Sequence, residues 1–255
     1  MVAGIVIAGL ITFAARRQQT LSRSGAVAGF IVGVTCTAAG WSWGVLVVAL
    51  FVSANSLSRY RRTTRLARVG ATVEKAGARD AWQVAANGGL FTAAAISSLI
   101  DPSPIWFPVA AGAIAASAAD TWATEIGTLA DHSPKLITTR EAVPPGTSGG
   151  VTWVGTFAGL AGATLIAVLA LLTGWGLRSA LAAVAGGIAG SLVDSFAGAA
   201  IQRRRWCDQC NKPTERLVHN CGTITSPHGG FGWVNNDVVN AIGSLTGAVV
   251  GLVLA

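Results

Sequence analysis

The sequence predicts an all-α, polytopic transmembrane helical bundle of about eight membrane segments packed through glycine and alanine. Charged residues make up 11% and hydrophobic residues 52% of the 255 residues, whereas roughly a quarter of an ordinary soluble chain is charged. Apolar stretches recur along the whole chain, separated by short polar loops. The 32 glycines allow helix backbones to approach closely, which membrane helices need because lipid supplies no hydrophobic drive for association.

Eight apolar stretches are the candidate membrane segments. They cover residues 2–15, 25–39, 42–54, 82–100, 105–119 continuing towards 130, 149–173, 178–201 and 234–255. The first three are shorter than the roughly 20 residues that a full span needs. Residues 25–54 could therefore form one long helix or a tight hairpin broken at the Gly-Trp-Ser-Trp-Gly run of residues 40–44.

The distribution of basic residues favours the hairpin. With eight alternating segments, seventeen of the eighteen Lys and Arg residues lie in loops on one side, and only Arg178 lies on the other. This is the positive-inside pattern, so the basic side is predicted to be cytoplasmic and both termini non-cytoplasmic. A single helix through 25–54 would place the first basic cluster opposite the others. Residues 2–15 have no basic region before them, so we interpret them as a retained anchor rather than a signal peptide.

These observations predict one integral membrane domain over residues 1–255, which in a prokaryote would lie in the cell membrane. Its partners include the lipid bilayer, and a homodimer is compatible with the sequence. The net charge of +7 suggests nucleic acid at first sight. The basic residues, however, lie in short loops without the aromatic interleaving of single-strand binders, so no nucleic-acid partner is expected.

Carboxylates lie near the predicted cytoplasmic ends of three helices. Acidic side chains inside a membrane are costly, so each needs a partner or a role, and none of these has a basic partner in its own segment. Carboxylate and amide oxygens suit Mg²⁺. The alternative is interhelical hydrogen bonding, which we favour for the asparagines and serines taken alone. The predicted catalytic and Mg²⁺-binding residues are Asp120, Glu125, Asp194 and Asp237, assisted by Asn236 and Asn240.

A Thr-Ser-Gly-Gly run opens the sixth segment after a proline-rich turn. Backbone amides at a helix N-terminus favour phosphate, so Thr147, Ser148, Gly149 and Gly150 are candidate phosphate-binding residues, with Arg140 adding charge. The run is not a P-loop, because the GxxxxGK[ST] pattern is absent. A plain helix-capping turn is the alternative interpretation.

The loop at 202–232 carries three of the four cysteines. Cys207, Cys210, His219 and Cys221 form a Cys₃His set with zinc-compatible spacing. In a reducing cytoplasm such a set is more typical of metal than of a disulfide. Four protein ligands would close the coordination sphere, so a structural Zn²⁺ is predicted. A redox pair or a metal-free loop is the alternative.

Four runs together resemble the integral-membrane family known as domain of unknown function 92. They are residues 119–127 (ADTWATEIG), 144–151 (PPGTSGGV), 190–195 (GSLVDS) and 233–240 (WVNNDVVN), in the same order as in that family. The family includes phytyl-phosphate kinases of tocopherol and phylloquinone salvage. The resemblance implies a kinase that adds a second phosphate to an isoprenoid monophosphate. CTP is the expected nucleoside triphosphate, by similarity to related lipid kinases, with ATP as the alternative.

The resulting hypothesis is a membrane-embedded isoprenoid monophosphate kinase whose active site faces the cytoplasm. Mg²⁺ would be held by the carboxylates, nucleotide would arrive from the cytosol, and the isoprenoid phosphate lipid from the bilayer. Two alternatives remain open. A transporter could use the same carboxylates for a cation or a phosphorylated solute, and a lipid cytidylyltransferase would use similar metal and nucleotide chemistry.

Overall fold

The computed structural model describes residues 2–75 and 77–255. Within these ranges nine helices succeed one another: α1 (Val2–Arg17), α2 (Arg23–Ala39), α3 (Trp41–Arg59), α4 (Arg62–Val69), α5 (Ala81–Ile100), α6 (Trp106–Gly127), α7 (Trp153–Leu172), α8 (Gly176–Ala200) and α9 (Asn236–Val253). Each of the eight predicted segments corresponds to one helix other than the short α4. The helices α3, α5, α7, α8 and α9 are long and apolar enough to cross a membrane. The predicted all-α class is confirmed.

Local signals in the sequence determine where these helices begin. The predicted break between α2 and α3 lies at Gly40, whose φ of 149° is rarely adopted by an L side chain. Asp80 and Gln83 form a capping box at the start of α5. Thr152 and Asn235 cap α7 and α9 by accepting hydrogen bonds from backbone amides. These side chains satisfy the first, otherwise unpaired N–H groups of each helix.

Helix α6 is the centre of the bundle, packed against α3, α5, α7, α8 and α9. Its alanines from residue 110 to 119 are almost fully buried. Gly112 of α6 lies against Gly186 of α8 and Gly247 of α9. A Cβ at Gly186 would be 2.9 Å from both the Gly112 Cα and the Gly247 carbonyl oxygen. The backbones of α6, α8 and α9 therefore approach one another closely within the bundle.

Four loops, comprising residues 18–22, 60–75 with 77–80, 128–152 and 201–235, gather at one end of the bundle, which we call the basic face. Hydrogen bonds connect all four: the Ser22 amide with the Arg79 carbonyl, Arg68 with the Ala130 carbonyl, Ser148 with Glu215, and Arg203 with Glu74. Arg178 lies at the opposite end, where it donates to the Ala255 carbonyl. The helices therefore alternate in direction as the charge pattern predicted.

Five short strands occur in the described loops. Strands β1 (Lys135–Leu136) and β2 (Gly150–Val151) pair with each other. Strands β3 (Arg204–Cys207), β4 (Lys212–Thr214) and β5 (Ser226–Gly229) form an antiparallel sheet in the order β4-β3-β5, and we call residues 204–229 the ribbon. The sequence analysis predicted a loop here and did not predict the sheet.

The ribbon packs on the segment that follows α4. The Thr214 hydroxyl donates to the Ala71 carbonyl at 2.8 Å, and the Glu215 amide donates to the Thr72 carbonyl at 2.8 Å. Arg216 donates to the Gly70 carbonyl at 3.0 Å. The ribbon thus holds residues 70–75 over the ends of the membrane helices.

Candidate functional site

A cavity of about 430 Å³ opens on the basic face. We call it the polar cavity. Its walls include the predicted carboxylates, the phosphate-loop residues and both assisting asparagines: Asp120, Glu125, Asp194, Asp237, Thr147, Ser148, Gly149, Gly150, Asn236 and Asn240. Arg140 lies instead at an exposed turn with a φ of 63° and is not among the lining residues. The cations that line the cavity are Arg65, Lys75 and Arg79.

Asp120 of α6 and Asp194 of α8 face each other in this cavity. Their carboxyl groups are close enough to share a hydrogen bond, because the helices approach closely where a Cβ at Gly190 would collide with Ala116. The Asn240 amide, oriented with its nitrogen towards α8, donates to Asp194 Oδ2 at 3.0 Å. Two adjacent carboxylates repel each other when both are charged, so the pair favours a cation or a proton between them.

Asp237 lies in the first turn of α9 and is 8% exposed. Its Oδ2 is 2.6 Å from Lys75 Nζ, which is also 2.9 Å from Asp80 Oδ2. Burial lowers the pKa of Lys75, but hydrogen bonds to the two carboxylates raise it more, and the pKa is above its ordinary value. Asp237 Oδ1 is buried without a hydrogen-bond partner. One oxygen of this carboxylate is therefore occupied and the other is available.

Glu125, near the end of α6, is held by protein groups on both oxygens. The Ser58 hydroxyl donates to Oε1 at 2.5 Å, and Arg65 Nε lies 2.9 Å from Oε2 in an ion pair without hydrogen-bond alignment. Neither Glu125 nor Asp237 has a basic partner in its own segment, as the sequence indicates, but each forms an ion pair with a cation from elsewhere in the chain. Their partners come from α4 and the segment after it, not from their own helices.

The loop at 144–152 binds a carboxylate of its own chain. Ser148 donates through its hydroxyl to Glu215 Oε1 at 2.6 Å, and its backbone also hydrogen-bonds Glu215. The amides of Thr147 and Gly150 donate to the Pro144 and Thr147 carbonyls. Ser148 thus binds a carboxyl group here, although two of the four predicted amides are used inside the turn.

Glu215 is a cavity residue that the sequence analysis missed. Burial raises its pKa from the ordinary value of 4.5 to about 7; the hydrogen bonds from Ser148 and the charge of Arg203 lower the pKa, and the charge of Glu74 raises it. The group therefore changes charge near neutral pH. Glu215 lies between Cys210 and His219 in sequence, where it resembles an ordinary loop residue, so no local pattern indicates its position.

The oxygen donors suit a hard divalent cation. Asp120 and Asp194 supply adjacent carboxylates without a salt bridge to any cation among the described residues. Asp237 supplies an unpartnered buried oxygen, and Mg²⁺ binds through one or two carboxylates together with substrate phosphates and water. The residues present therefore fit this ion, with Glu125 the least available of the four predicted ligands.

The Cys₃His set forms a second cluster, in the ribbon. One ligand atom from each of Cys207, Cys210, His219 and Cys221 lies within 4.8 Å of all the others. Cys221 Sγ is 3.6 Å from Cys207 Sγ and 3.2 Å from His219 Nδ1. Hydrogen bonding with Thr223 and His219 lowers the pKa of Cys221 to about 5, which favours the thiolate form that binds metals. These distances fit tetrahedral coordination with bonds of about 2.3 Å.

The family model for integral membrane protein DUF92 matches residues 6–248, almost the whole chain. The chain belongs to the DUF92 family. Protein PGR of Arabidopsis thaliana is 30% identical to this DUF92 chain over 271 residues, covering 96% of the chain and 92% of PGR. An uncharacterized membrane protein of Methanocaldococcus jannaschii is 28% identical, covering 98% and 92%. Protein VTE6, chloroplastic, of Arabidopsis thaliana is 27% identical, covering 92% and 65%. No solved structure matches significantly.

All four runs that carry the resemblance to the DUF92 family reach the same cavity. Residues 119–127, 144–151, 190–195 and 233–240 each contribute several lining residues. They come from α6, the loop before α7, α8 and the start of α9. This DUF92 chain is therefore an integral membrane protein whose family motifs meet around one polar cavity.

Proposed function

We propose that this protein is an isoprenoid monophosphate kinase, which transfers a phosphoryl group from CTP or ATP to the lipid phosphate and yields the isoprenoid diphosphate. The observation that carries the proposal is the meeting of the four family motifs in one cavity lined by carboxylates and by three cations. The implied membership of phytyl-phosphate kinases in this family supports it, as does the similarity to VTE6.

The charges around the cavity suit the needs of phosphoryl transfer. That reaction depends on positioning and on neutralising phosphate charge, with little covalent work for the protein. Bound Mg²⁺ would supply neutralisation of the nucleotide's phosphate oxygens. Asp120 and Asp194 would hold the ion, with Asp237 Oδ1 as a further ligand and Asn236 and Asn240 fixing the carboxylates.

The cations Arg65, Lys75 and Arg79 would bind substrate phosphates. Since the second pKa of a phosphate monoester is about 6, the acceptor is already anionic at pH 7 and needs no strong general base. An acceptor oxygen bonds to the γ-phosphorus, and the bond from that phosphorus to the β–γ bridging oxygen breaks. The nucleoside diphosphate leaves with the bond electrons. Lys75 and Arg79 would act by stabilising the negative charge of the phosphate groups.

The basic face would be cytoplasmic, because basic loops are retained on that side. Nucleotide would then enter the polar cavity from the cytosol, while the lipid acceptor would come laterally from the bilayer of the cell membrane. The ribbon would carry a structural Zn²⁺ on Cys207, Cys210, His219 and Cys221. That ion would keep the ribbon folded and so keep residues 70–75 over the cavity.

The test uses purified protein in detergent with Mg²⁺, γ-labelled CTP or ATP, and geranylgeranyl monophosphate. Labelled geranylgeranyl diphosphate is the expected product. A lipid product that carries CMP would instead show a cytidylyltransferase. Movement of phosphorylated solute into liposomes without nucleotide turnover would show a transporter, and either result would replace the kinase proposal.

A further inference from the structure

A second cavity, of about 140 Å³, lies among α1, α2, α3 and α5. We call it the apolar cavity. It is lined mainly by aliphatic side chains, glycines and Phe51, and among its residues are Ala8, Val32 and Leu50. Four residues line both this cavity and the polar cavity: Arg79, Gln83, Asn87 and Thr121. The two cavities are therefore neighbours with a shared polar wall.

We propose that the apolar cavity binds the first isoprene unit of a lipid monophosphate whose phosphate lies against Arg79 in the polar cavity. This inference rests on the proposed kinase function and specifies where that enzyme holds its acceptor. The four shared residues mark the junction between head group and tail.

Arg79 has the features of a phosphate ligand at this junction. Its guanidinium donates to Asn55 Oδ1 at 2.7 Å and to the Ser58 hydroxyl at 3.1 Å, both neutral groups. None of the salt bridges within residues 2–75 and 77–255 includes Arg79. The Ser58 hydroxyl also bonds Glu125, so this carboxylate is near Arg79, but its direct ion pair is with Arg65. A half-buried cation without a salt bridge of its own favours an anionic ligand. The backbone of Arg79 forms hydrogen bonds with Thr20 and Ser22. These bonds fix the position from which the side chain extends.

The size of the apolar cavity limits how much of the tail it holds. An apolar protein cavity of about 150 Å³ accommodates one benzene molecule, so 140 Å³ suits about five or six carbons. That is one isoprene unit. The remaining units would lie along the outer surface of the bundle, where Ile7 of α1 is 50% exposed. The affinity for the lipid should therefore depend more on the branched first isoprene unit than on the length of the tail beyond it.

A pair of adjacent glycines on α5 allows a matched test. Gly88 lines the apolar cavity, and a Cβ there would meet only Val32 Cγ1 at 3.8 Å, an ordinary contact. Gly89 is outside the cavity lining, and a Cβ there would meet nothing within 4 Å. Gly88→Leu should fill the cavity, whereas Gly89→Leu changes the same helix by the same atoms without filling it.

The experiment is photolabelling in nanodiscs with a geranylgeranyl monophosphate that carries a diazirine on its first isoprene unit, without nucleotide or Mg²⁺. Labels should map to α1–α3 and α5, and excess unlabelled geranylgeranyl monophosphate should displace them. Gly88→Leu should reduce labelling at least about tenfold, since burial of each methylene changes affinity about fourfold. Gly89→Leu should label within twofold of wild type. If Gly88→Leu fails to fold, Gly29→Val fills the cavity from α2, where a Cβ meets Thr12 and Leu21 at 3.5 and 3.6 Å.

Three outcomes would overturn the inference: labels on α7–α9, undiminished labelling of the folded cavity-filling variant, or equal displacement by phosphatidylglycerol. The kinase proposal is judged separately by diphosphate formation. If the apolar cavity is labelled and the label is displaced, but no diphosphate forms, the lipid-phosphate site is supported and the kinase proposal is refuted. If wild type and Gly88→Leu form diphosphate equally well, the kinase proposal is supported and the tail site is refuted.

Discussion

Replacing Asp194 by Asn tests whether the facing carboxylates of α6 and α8 hold a divalent cation. The Asp120 and Asp194 carboxyl groups are close enough to share a hydrogen bond, and two charges about 4 Å apart repel by about 4 kcal/mol at an effective dielectric constant of 20. A proton shared by the pair reduces this value, which is therefore an upper bound. Asn removes the repulsion and the negative charge that a metal ligand contributes here, while preserving the size of the side chain and an oxygen acceptor for Asn240.

The variant should therefore change stability and activity in opposite directions. In EDTA, Asp194→Asn should melt higher than wild type. With Mg²⁺ at a hundredfold excess over its Kd, wild type should gain about 2.7 kcal/mol, and the variant should gain little. Formation of geranylgeranyl diphosphate should fall at least about 100-fold, because a metal supplies several kcal/mol of transition-state stabilisation.

Asp131→Asn is the matched control, because Asp131 is also on the basic face but is exposed and outside the cavity lining. Its ion pair is with Arg68. It should leave both the Mg²⁺ response and turnover near wild type. Asp120→Asn should behave like Asp194→Asn, and the double variant should be little worse than either, since residues that act as one unit fail together. A variant at Asp194 with wild-type turnover and an unchanged Mg²⁺ response would refute the metal site.

Three further outcomes are expected. Because the pKa of Glu215 is raised from 4.5 to about 7, the folded state binds more protons than the unfolded state between these values, and stability falls as pH rises through that window. Glu215→Gln should match wild type in unfolding free energy near pH 4.5 and exceed it by up to about 3 kcal/mol at pH 8; equal pH profiles would contradict this. Metal analysis should find about one zinc per chain in wild type and in Cys36→Ala but not in Cys210→Ser, which should melt lower. Unchanged melting with no zinc in wild type would exclude a structural metal. A membrane-impermeant maleimide applied to intact cells should label Arg178→Cys and not Arg62→Cys, and the reverse pattern would invert the proposed orientation.

The sequence was sufficient for the helices because their signals are local. Apolar stretches, the glycine at position 40 and the distribution of basic residues predicted the bundle and the alternation of its helices. The sequence also predicted which carboxylates line one cavity, since alternating helices place Asp120, Asp194 and Asp237 at the same end.

The partners of these carboxylates depend on tertiary packing and could not be predicted. Arg65 reaches Glu125 from α4, and Lys75 reaches Asp237 from the segment after α4. The ribbon packs on that segment through contacts between parts of the chain about 140 residues apart in sequence. Arg140 was chosen for its nearness to the phosphate loop, but its backbone turn directs it away from the cavity. Nearness in sequence was a poor guide to nearness in space within these loops.

The meeting point of Gly112, Gly186 and Gly247 has a consequence for genetic variation in this protein. A Cβ at either Gly112 or Gly247 would collide with the carbonyl of the other, so even alanine would separate α6 from α9. That separation would move Asp120 relative to Asp237, although none of these glycines lines the polar cavity. A screen for inactive variants should therefore recover mutations of these glycines as readily as mutations of the charged residues.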